Sequence, residues 1–278
     1  MNILKWLRLG VLATSVLSLQ GCWLKVIDWL TPTEGYTVQQ HIAYGDKLRQ
    51  HLDYYQPTTP NDSGLTVVFF YGGAWQSGDK ASYRFVAQAF AHQGYSVVIP
   101  DYRVYPGVLF PKFIDDAALA LKWVTDNTDQ QLVLMGHSAG AHIAALATFN
   151  EDYLSVAGVE KDRIRALVGL SGAYDFLPLE EQIYKTIFSG ADDLENTQPI
   201  NFVDKDEPPV LLIHGLADKR VGLFNTENLA EKLKDKNNIV EVRLYDAVDH
   251  GQTVGSLSLP FRKHSPALVD ILQFLSSL

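Results

Sequence analysis

Residues 131–140 read QLVLMGHSAG, an apolar run that ends in Gly136-His137-Ser138-Ala139-Gly140. This is G-x-S-x-G between a strand and a helix of small residues, the setting in which a serine hydroxyl is raised as a nucleophile. A tight strand-to-helix turn takes an uncommon backbone conformation, and glycines two residues to either side leave room for it. The helix N-terminus behind Ser138 favours developing negative charge. The chemistry such a residue can do is acyl transfer, which needs a base for the serine proton and donors for an oxyanion.

Eight histidines could supply the base. His41 and His51 fall in early strands, His92 and His142 in helices, and His137 sits beside the serine on a turn that points it elsewhere. His214 reads as a packed turn residue that shapes the acid loop, and His264 as a surface or cap residue at the start of the last helix. His250 lies in a loop after the last strand and before the last helix, where the chain order Ser…Asp…His puts the base. Asp218, at the end of His214-Gly215-Leu216-Ala217-Asp218, follows a strand and can orient the His250 ring. Its rivals are Asp246 and Asp249. The backbone amides of Gly73, Ala74 and Ala139 are candidate oxyanion donors, because Tyr71-Gly72-Gly73-Ala74-Trp75 closes a strand with a glycine-rich loop. Trp75 and Phe176 are candidate pocket walls or plain core. No metal or cofactor is implied. There is no H-E-x-x-H, Asp79 and Asp101 lack histidine partners, and the glycines fit no nucleotide loop. Asp115-Asp116 reads as a helix surface touching the loop behind it.

The elements that must position these residues alternate. A continuous apolar strand is expected over residues 65–71, a second buried strand over 95–100, and further strands over 131–135, 166–170, 210–213 and 240–245. Helices are expected over 82–92, 111–123, 139–149, 225–233 and 265–275. Two further strand candidates, 37–44 and 48–54, precede them. Strands rich in Val, Leu and Ile alternating with helices predict an α/β fold with a mostly parallel central sheet of about eight strands, covered by helices on both faces. Residues 174–206 break the rhythm and read as a small cap insertion over the carboxyl ends of the strands, or as a connection.

The chain has 278 residues, 47% hydrophobic and 20% charged. That length buries a core without disulfides, and the single cysteine excludes an intrachain one. With 23 basic against 32 acidic residues the formal charge is −9, a poor match to a phosphate backbone, so no nucleic-acid partner is expected. Lys5 and Arg8 precede an uncharged stretch over residues 9–19, too short to span a bilayer as a helix but of signal-peptide length. Leu19-Gln20-Gly21-Cys22 resembles the lipobox of bacterial lipoproteins. The resemblance implies a signal peptide over 1–21, lipidation at Cys22, a tether over 22–35 and the folded domain over 36–278. It also implies a place in the bacterial cell envelope facing the periplasm, at the outer rather than the inner membrane, held by the lipid anchor alone.

Taken together the motifs resemble the α/β-hydrolase esterases near the hormone-sensitive-lipase and feruloyl/acetylxylan-esterase-like carboxylesterases, and the bacterial kynurenine formamidases. The resemblance runs over about residues 48–275. It rests on Leu52-Asp53-Tyr54-Tyr55-Gln56-Pro57, Tyr71 to Trp75 with Gly78-Asp79-Lys80, Asp101-Tyr102-Arg103, the elbow, the Asp218 loop and His250-Gly251. It implies the α/β-hydrolase fold, a Ser138–Asp218–His250 triad, and hydrolysis of a small ester carrying a short acyl chain. A formamide substrate, or a hydrolase fold retained for binding alone, are the alternatives. Where relatives usually carry His at the head of the oxyanion loop, this chain has Tyr71.

Overall fold

The computed structural model describes Ile27, Leu30 and residues 31–278; the expected leader and Cys22 lie outside the described residues. Eight strands form one sheet: β1 Tyr36–Ala43, β2 His51–Pro57, β3 Leu65–Phe70, β4 Ser96–Pro100, β5 Gln131–His137, β6 Ile164–Leu170, β7 Val210–Gly215 and β8 Val240–Tyr245. Their order is β1-β2-β4-β3-β5-β6-β7-β8. β1 and β2 pair antiparallel and β2 meets β4 antiparallel, while β4 through β8 run parallel. Helices flank both faces, which is the α/β-hydrolase fold expected from the alternation. Burial follows the residue pattern. β3, β4 and β7 are buried at every position, as their unbroken apolar runs require, whereas β1 at the edge is largely exposed.

Described helices are α1 Arg84–Ala91, α2 Lys112–Asn127, α3 Ala139–Phe149, α4 Glu151–Ala157, α5 Gln182–Ile187, α6 Phe224–Asp235, α7 His250–Gly255 and α8 Ala267–Ser276. All of α3 is buried. Its run of Ala and Gly lets it pack against the sheet with no polar face to spare. Residues 174–206 form the small insertion, with α5 and two 3-10 turns, Leu194–Thr197 and Pro199–Phe202.

Three expectations are corrected. The helix expected over 82–92 begins at Arg84, because Asp79 caps a separate 3-10 turn, Lys80–Tyr83, by accepting from the Ser82 amide. His250 is not in a loop: it opens α7, where Asp249 and Gln252 form a reciprocal capping box. Asp116 is fully buried rather than on a helix surface. It accepts three bonds from the Arg103 side chain, one from the Arg103 amide and one from Gln50 Nε2, tying α2 to the loops after β4 and before β2. Asp115 alone stays near solvent, paired with Lys112.

Breaking a buried pair strands the remaining charge and costs about 3–5 kcal/mol, less where water can reach the survivor. Arg103 keeps about a quarter of its side-chain exposure. Asp116→Ala is therefore expected to lower the unfolding free energy by about 3 kcal/mol, read from the denaturant midpoint at unchanged m-value.

Candidate active site

β5 passes into α3 without a loop, so Ser138 turns the chain alone. Its φ of 56° and ψ of −123° lie in a strained region for a residue with a side chain. The neighbours over-determine it. The Ser138 amide donates to the Leu170 carbonyl at 2.9 Å, and its carbonyl accepts from the Ala141 and His142 amides. A Cβ on Gly136 would stand 2.3 Å from the Gly140 oxygen, and one on Gly140 would stand 2.1 Å from the Phe70 oxygen. A side chain on Gly136 would push β5 off the first turn of α3, and one on Gly140 would push that turn off the end of β3.

The hydroxyl so presented meets the His250 ring. Ser138 Oγ donates to His250 Nε2 at 2.9 Å, and His250 Nδ1 donates to Asp218 Oδ2 at 2.8 Å. Three segments far apart in sequence thus converge on one hydrogen-bonded line. Asp218 follows β7 in a turn, where its Oδ1 accepts the amides of Arg220 and Val221. Burial opposes ionisation of this carboxyl, but the bond and charge of His250 and the two amides outweigh it, holding Asp218 well below the usual carboxylate range. His214 sits beneath the turn. Its Nδ1 accepts from Thr226 Oγ1, and its Nε2 donates to the Val221 carbonyl, 3.4 Å from Asp218 Oδ2. It shapes the acid loop, as its position at the strand end suggests. Asp249 serves as the cap of α7, and Asp246 stays exposed.

The loop after β3 rests on the elbow: a Cβ on Gly72 would lie 3.1 Å from the Ser138 Cβ. Gly73, Ala74 and Trp75 all have positive φ, at 142°, 53° and 59°. The Gln76 and Ser77 amides close back on the Gly73 carbonyl. Among the described residues the amides of Gly73, Ala74 and Ala139 have no acceptor, so the expected donors are free to meet an anion.

Tyr71, at the head of this loop, organises it through its phenol. Its OH donates to Asp101 Oδ1 at 2.7 Å and accepts from Arg49 Nη2 at 2.8 Å, while Arg49 also donates to the Gly78 carbonyl. The ring stacks between Tyr83 and Tyr102.

Sequence reasoning set two histidines aside that the structure brings to the site. His142, on the first turn of α3, accepts from Trp75 Nε1 and donates through Nε2 to the Thr197 carbonyl in the insertion. Trp75 is nearly buried and lies among His142, Phe176, Tyr184 and Phe188. It locks the insertion onto α3, while Phe176 and Tyr184 keep part of their surface exposed. His137 packs against His250 and donates through Nε2 to the His250 carbonyl at 2.9 Å. The available signal was two histidines inside an otherwise apolar strand and helix, where each needs a buried partner. Among the described residues no group of three His, Cys, Asp or Glu side chains is placed to hold a metal.

Burial drives both histidines to the neutral form, His137 down to about 3 and His142 down to about 4. A histidine whose folded pKa is depressed binds fewer protons than the unfolded chain between the two values. Its contribution is present above the unfolded pKa and is lost as pH falls toward the folded one. For His142 this amounts to about 2 kcal/mol between pH 7.5 and 5. Thermal unfolding followed over that range is expected to show a falling midpoint, and His142→Gln is expected to show a smaller fall.

The BD-FAE family model matches residues 52–233, about two-thirds of the chain, including Ser138 and Asp218. The isoprenylcysteine alpha-carbonyl methylesterase ICME of Arabidopsis thaliana is 29% identical over 242 residues, covering 77% of this chain and 56% of its own. The chain thus spans a little over half the length of that relative. Kynurenine formamidase of Drosophila melanogaster is 26% identical over 235 residues, covering 80% and 77% respectively. Among solved structures, esterase B from Lactobacillus rhamnosis superposes with a TM-score of 0.81 at 19% identity, over 99% of this chain and 96% of the other, a likeness of fold. The match runs from β2 into α6, more than half of the chain, and the chain belongs to the BD-FAE family.

Proposed function

We propose that the protein is a serine carboxylesterase acting on small esters with short acyl chains. The observation that carries the reading is the unbroken line from Ser138 Oγ through the His250 ring to Asp218. Ser138 Oγ attacks the ester carbonyl as His250 Nε2 takes its proton, and Asp218 stabilises the imidazolium. The negative charge on the tetrahedral oxygen falls to the amides of Gly73, Ala74 and Ala139. His250 returns the proton to the departing alcohol, leaving Ser138 acylated. Water then attacks with the same base, the C–O bond to Ser138 breaks, and the free acid leaves. Trp75 and Phe176 wall the acyl side in this reading, since they sit on the oxyanion loop and the insertion over the first turn of α3. That aromatic wall favours acetyl over octanoyl chains.

A second reading, hydrolysis of an aryl formamide, is favoured by the coverage of the formamidase relative, 77% of its length against 56% for the methylesterase. The two share every catalytic group and differ in the carbonyl they accept. A fluorophosphonate probe is expected to label the wild type and not Ser138→Ala; a folded wild type left unlabelled would show a hydrolase fold kept for binding. On a panel of acetyl to octanoyl esters, an acetylated sugar, a feruloyl ester and N-formylkynurenine, the acetyl ester is expected to give the highest kcat/KM. A formamide turned over faster than every ester would put the second reading first.

We also propose that the protein is lipid-anchored through Cys22 in the bacterial cell envelope. Support comes from Lys5 and Arg8, the apolar stretch over 9–19 and the sequence Leu19 to Cys22. Cys22→Ser is expected to abolish incorporation of labelled fatty acid and to release the protein from the membrane fraction. Unchanged incorporation would overturn the anchor.

A further inference from the structure

His137 occupies the variable position before the nucleophile, and the mechanism above gives it no part. Its surroundings are unusual for a filler. It is 6% exposed, and its ring lies 4.7 Å from the His250 ring, centroid to centroid, at 42°. Nε2 is 2.9 Å from the His250 carbonyl oxygen. A carbonyl can only accept, so the proton of this neutral imidazole sits on Nε2. Nδ1 is buried with no partner and is aimed at the oxyanion loop, where a Cβ on Gly72 would stand 2.9 Å from it. One side chain therefore touches the nucleophile turn that carries it, the residue that bears the base, and the loop that bears the oxyanion donors.

We propose that His137 is a positioning residue for the base: its ring and its Nε2–H hold the backbone and imidazole of His250 in line with Ser138 Oγ. The proposal rests on the esterase reading above.

His250 opens a helix of only six residues, α7. Such a short helix has little stability of its own, so external contacts must fix where its first residue points. The capping box sets the entry of the chain, and Ser171 Oγ with Thr253 Oγ1, 3.0 Å apart, holds the next turn to the end of β6. Neither constrains rotation at His250 itself. Asp218 fixes Nδ1 at one end of the ring. The remaining freedom is a pivot about that bond, and the His137 ring blocks it from one face while its N–H pins the backbone.

Histidine suits the task better than a cationic or purely apolar residue. The ionisable groups about it are His250 on α7, and Asp218 and Arg220 on the loop after β7. Burial, and the His250 charge when present, keep His137 neutral, so it donates a hydrogen bond without opposing the imidazolium that forms next to it. Phenylalanine would keep the ring contact and lose the donor. Glutamine would keep a donor at the reach of Nε2, and asparagine would offer one only at the reach of Nδ1.

The test compares His137→Phe, His137→Asn and His137→Gln in the full chain, with p-nitrophenyl acetate turnover and the rate of fluorophosphonate labelling, alongside thermal midpoints. Misplacing a catalytic group by about 1 Å costs up to about a hundredfold, so Phe and Asn are expected to lower kcat and the labelling rate by about ten- to a hundredfold with KM within about twofold. Glutamine is expected to restore both rates to within about threefold of wild type, since it returns the donor. Should the Phe variant fail to fold, the Gln and Asn pair decides the matter. Wild-type rates in the Asn variant, or equal loss in folded Gln and Asn variants, would overturn the positioning role. A wild type that neither labels nor turns over would overturn the esterase reading itself.

Discussion

The hydrogen bond from Ser138 Oγ to His250 Nε2, 2.9 Å long, joins residues 112 positions apart, and the site depends on a fold that brings them together. A contact of that sequence separation has no local means of support. It depends on parallel strands that deliver their carboxyl ends to one edge of the sheet, β5 bringing the serine and β7 the aspartate. Those strands are buried at every position but Gln131, so their register is set by the core rather than by the site. The histidine comes from beyond β8, at the start of a short helix, and is the least constrained member by topology. Polar contacts to Asp218 and His137 supply what topology does not.

The elbow and the oxyanion loop are held by different physics. At the elbow the control is steric: Gly136 and Gly140 allow backbone against backbone, and the strained Ser138 has nowhere else to go. Behind the oxyanion loop the control is electrostatic. Arg49, Tyr71 and Asp101 form one chain of bonds, Asp101 accepts the Lys80 amide, and the buried Lys80 ammonium pairs with Asp53 at 2.8 Å. Removing one member of such a network leaves its neighbours unsatisfied, which is a stronger penalty than losing one bond. Tyr71 therefore belongs to the packing of the loop as much as to its polar framework, with its ring stacked between two other tyrosines.

How much of this was legible from residues alone follows from whether each signal was local. The inner parallel strands were readable because double burial leaves an unbroken apolar run, as in Leu65–Phe70, while the half-exposed edge strand Val240–Tyr245 nonetheless has the bounds its residues suggest. The elbow was readable because its glycines and serine are contiguous. The meeting of Ser138, Asp218 and His250 was readable through chain order, which this topology fixes. α7 escaped notice because it is six residues long and carries Gly251 in its first turn, although the Asp249 and Gln252 spacing was there to be read. Asp116 looked like surface because its neighbour Asp115 is, and helical spacing alone does not reveal that Arg103 and Gln50 wait behind it. The parts His137 and His142 play could not be assigned, since both depend on contacts to segments 113 and 55 residues away.

Three histidines around one serine raise the question of which can take its proton, and burial answers it. His142 has Nε2 committed to the Thr197 carbonyl and Nδ1 to the Trp75 indole, so neither nitrogen offers a lone pair to a new partner. His137 keeps a lone pair on Nδ1, but that atom is enclosed against the oxyanion loop, and charging the ring there would cost the solvation that burial has removed. Both are wired as neutral donors to carbonyl groups. Only His250 combines an Nε2 already in contact with Ser138 Oγ and a carboxylate on its far nitrogen ready to stabilise the charged ring. In the proposed mechanism the selectivity of proton transfer is thus set by what each ring's other nitrogen touches, and by how much water is left around it, rather than by proximity to the serine in sequence.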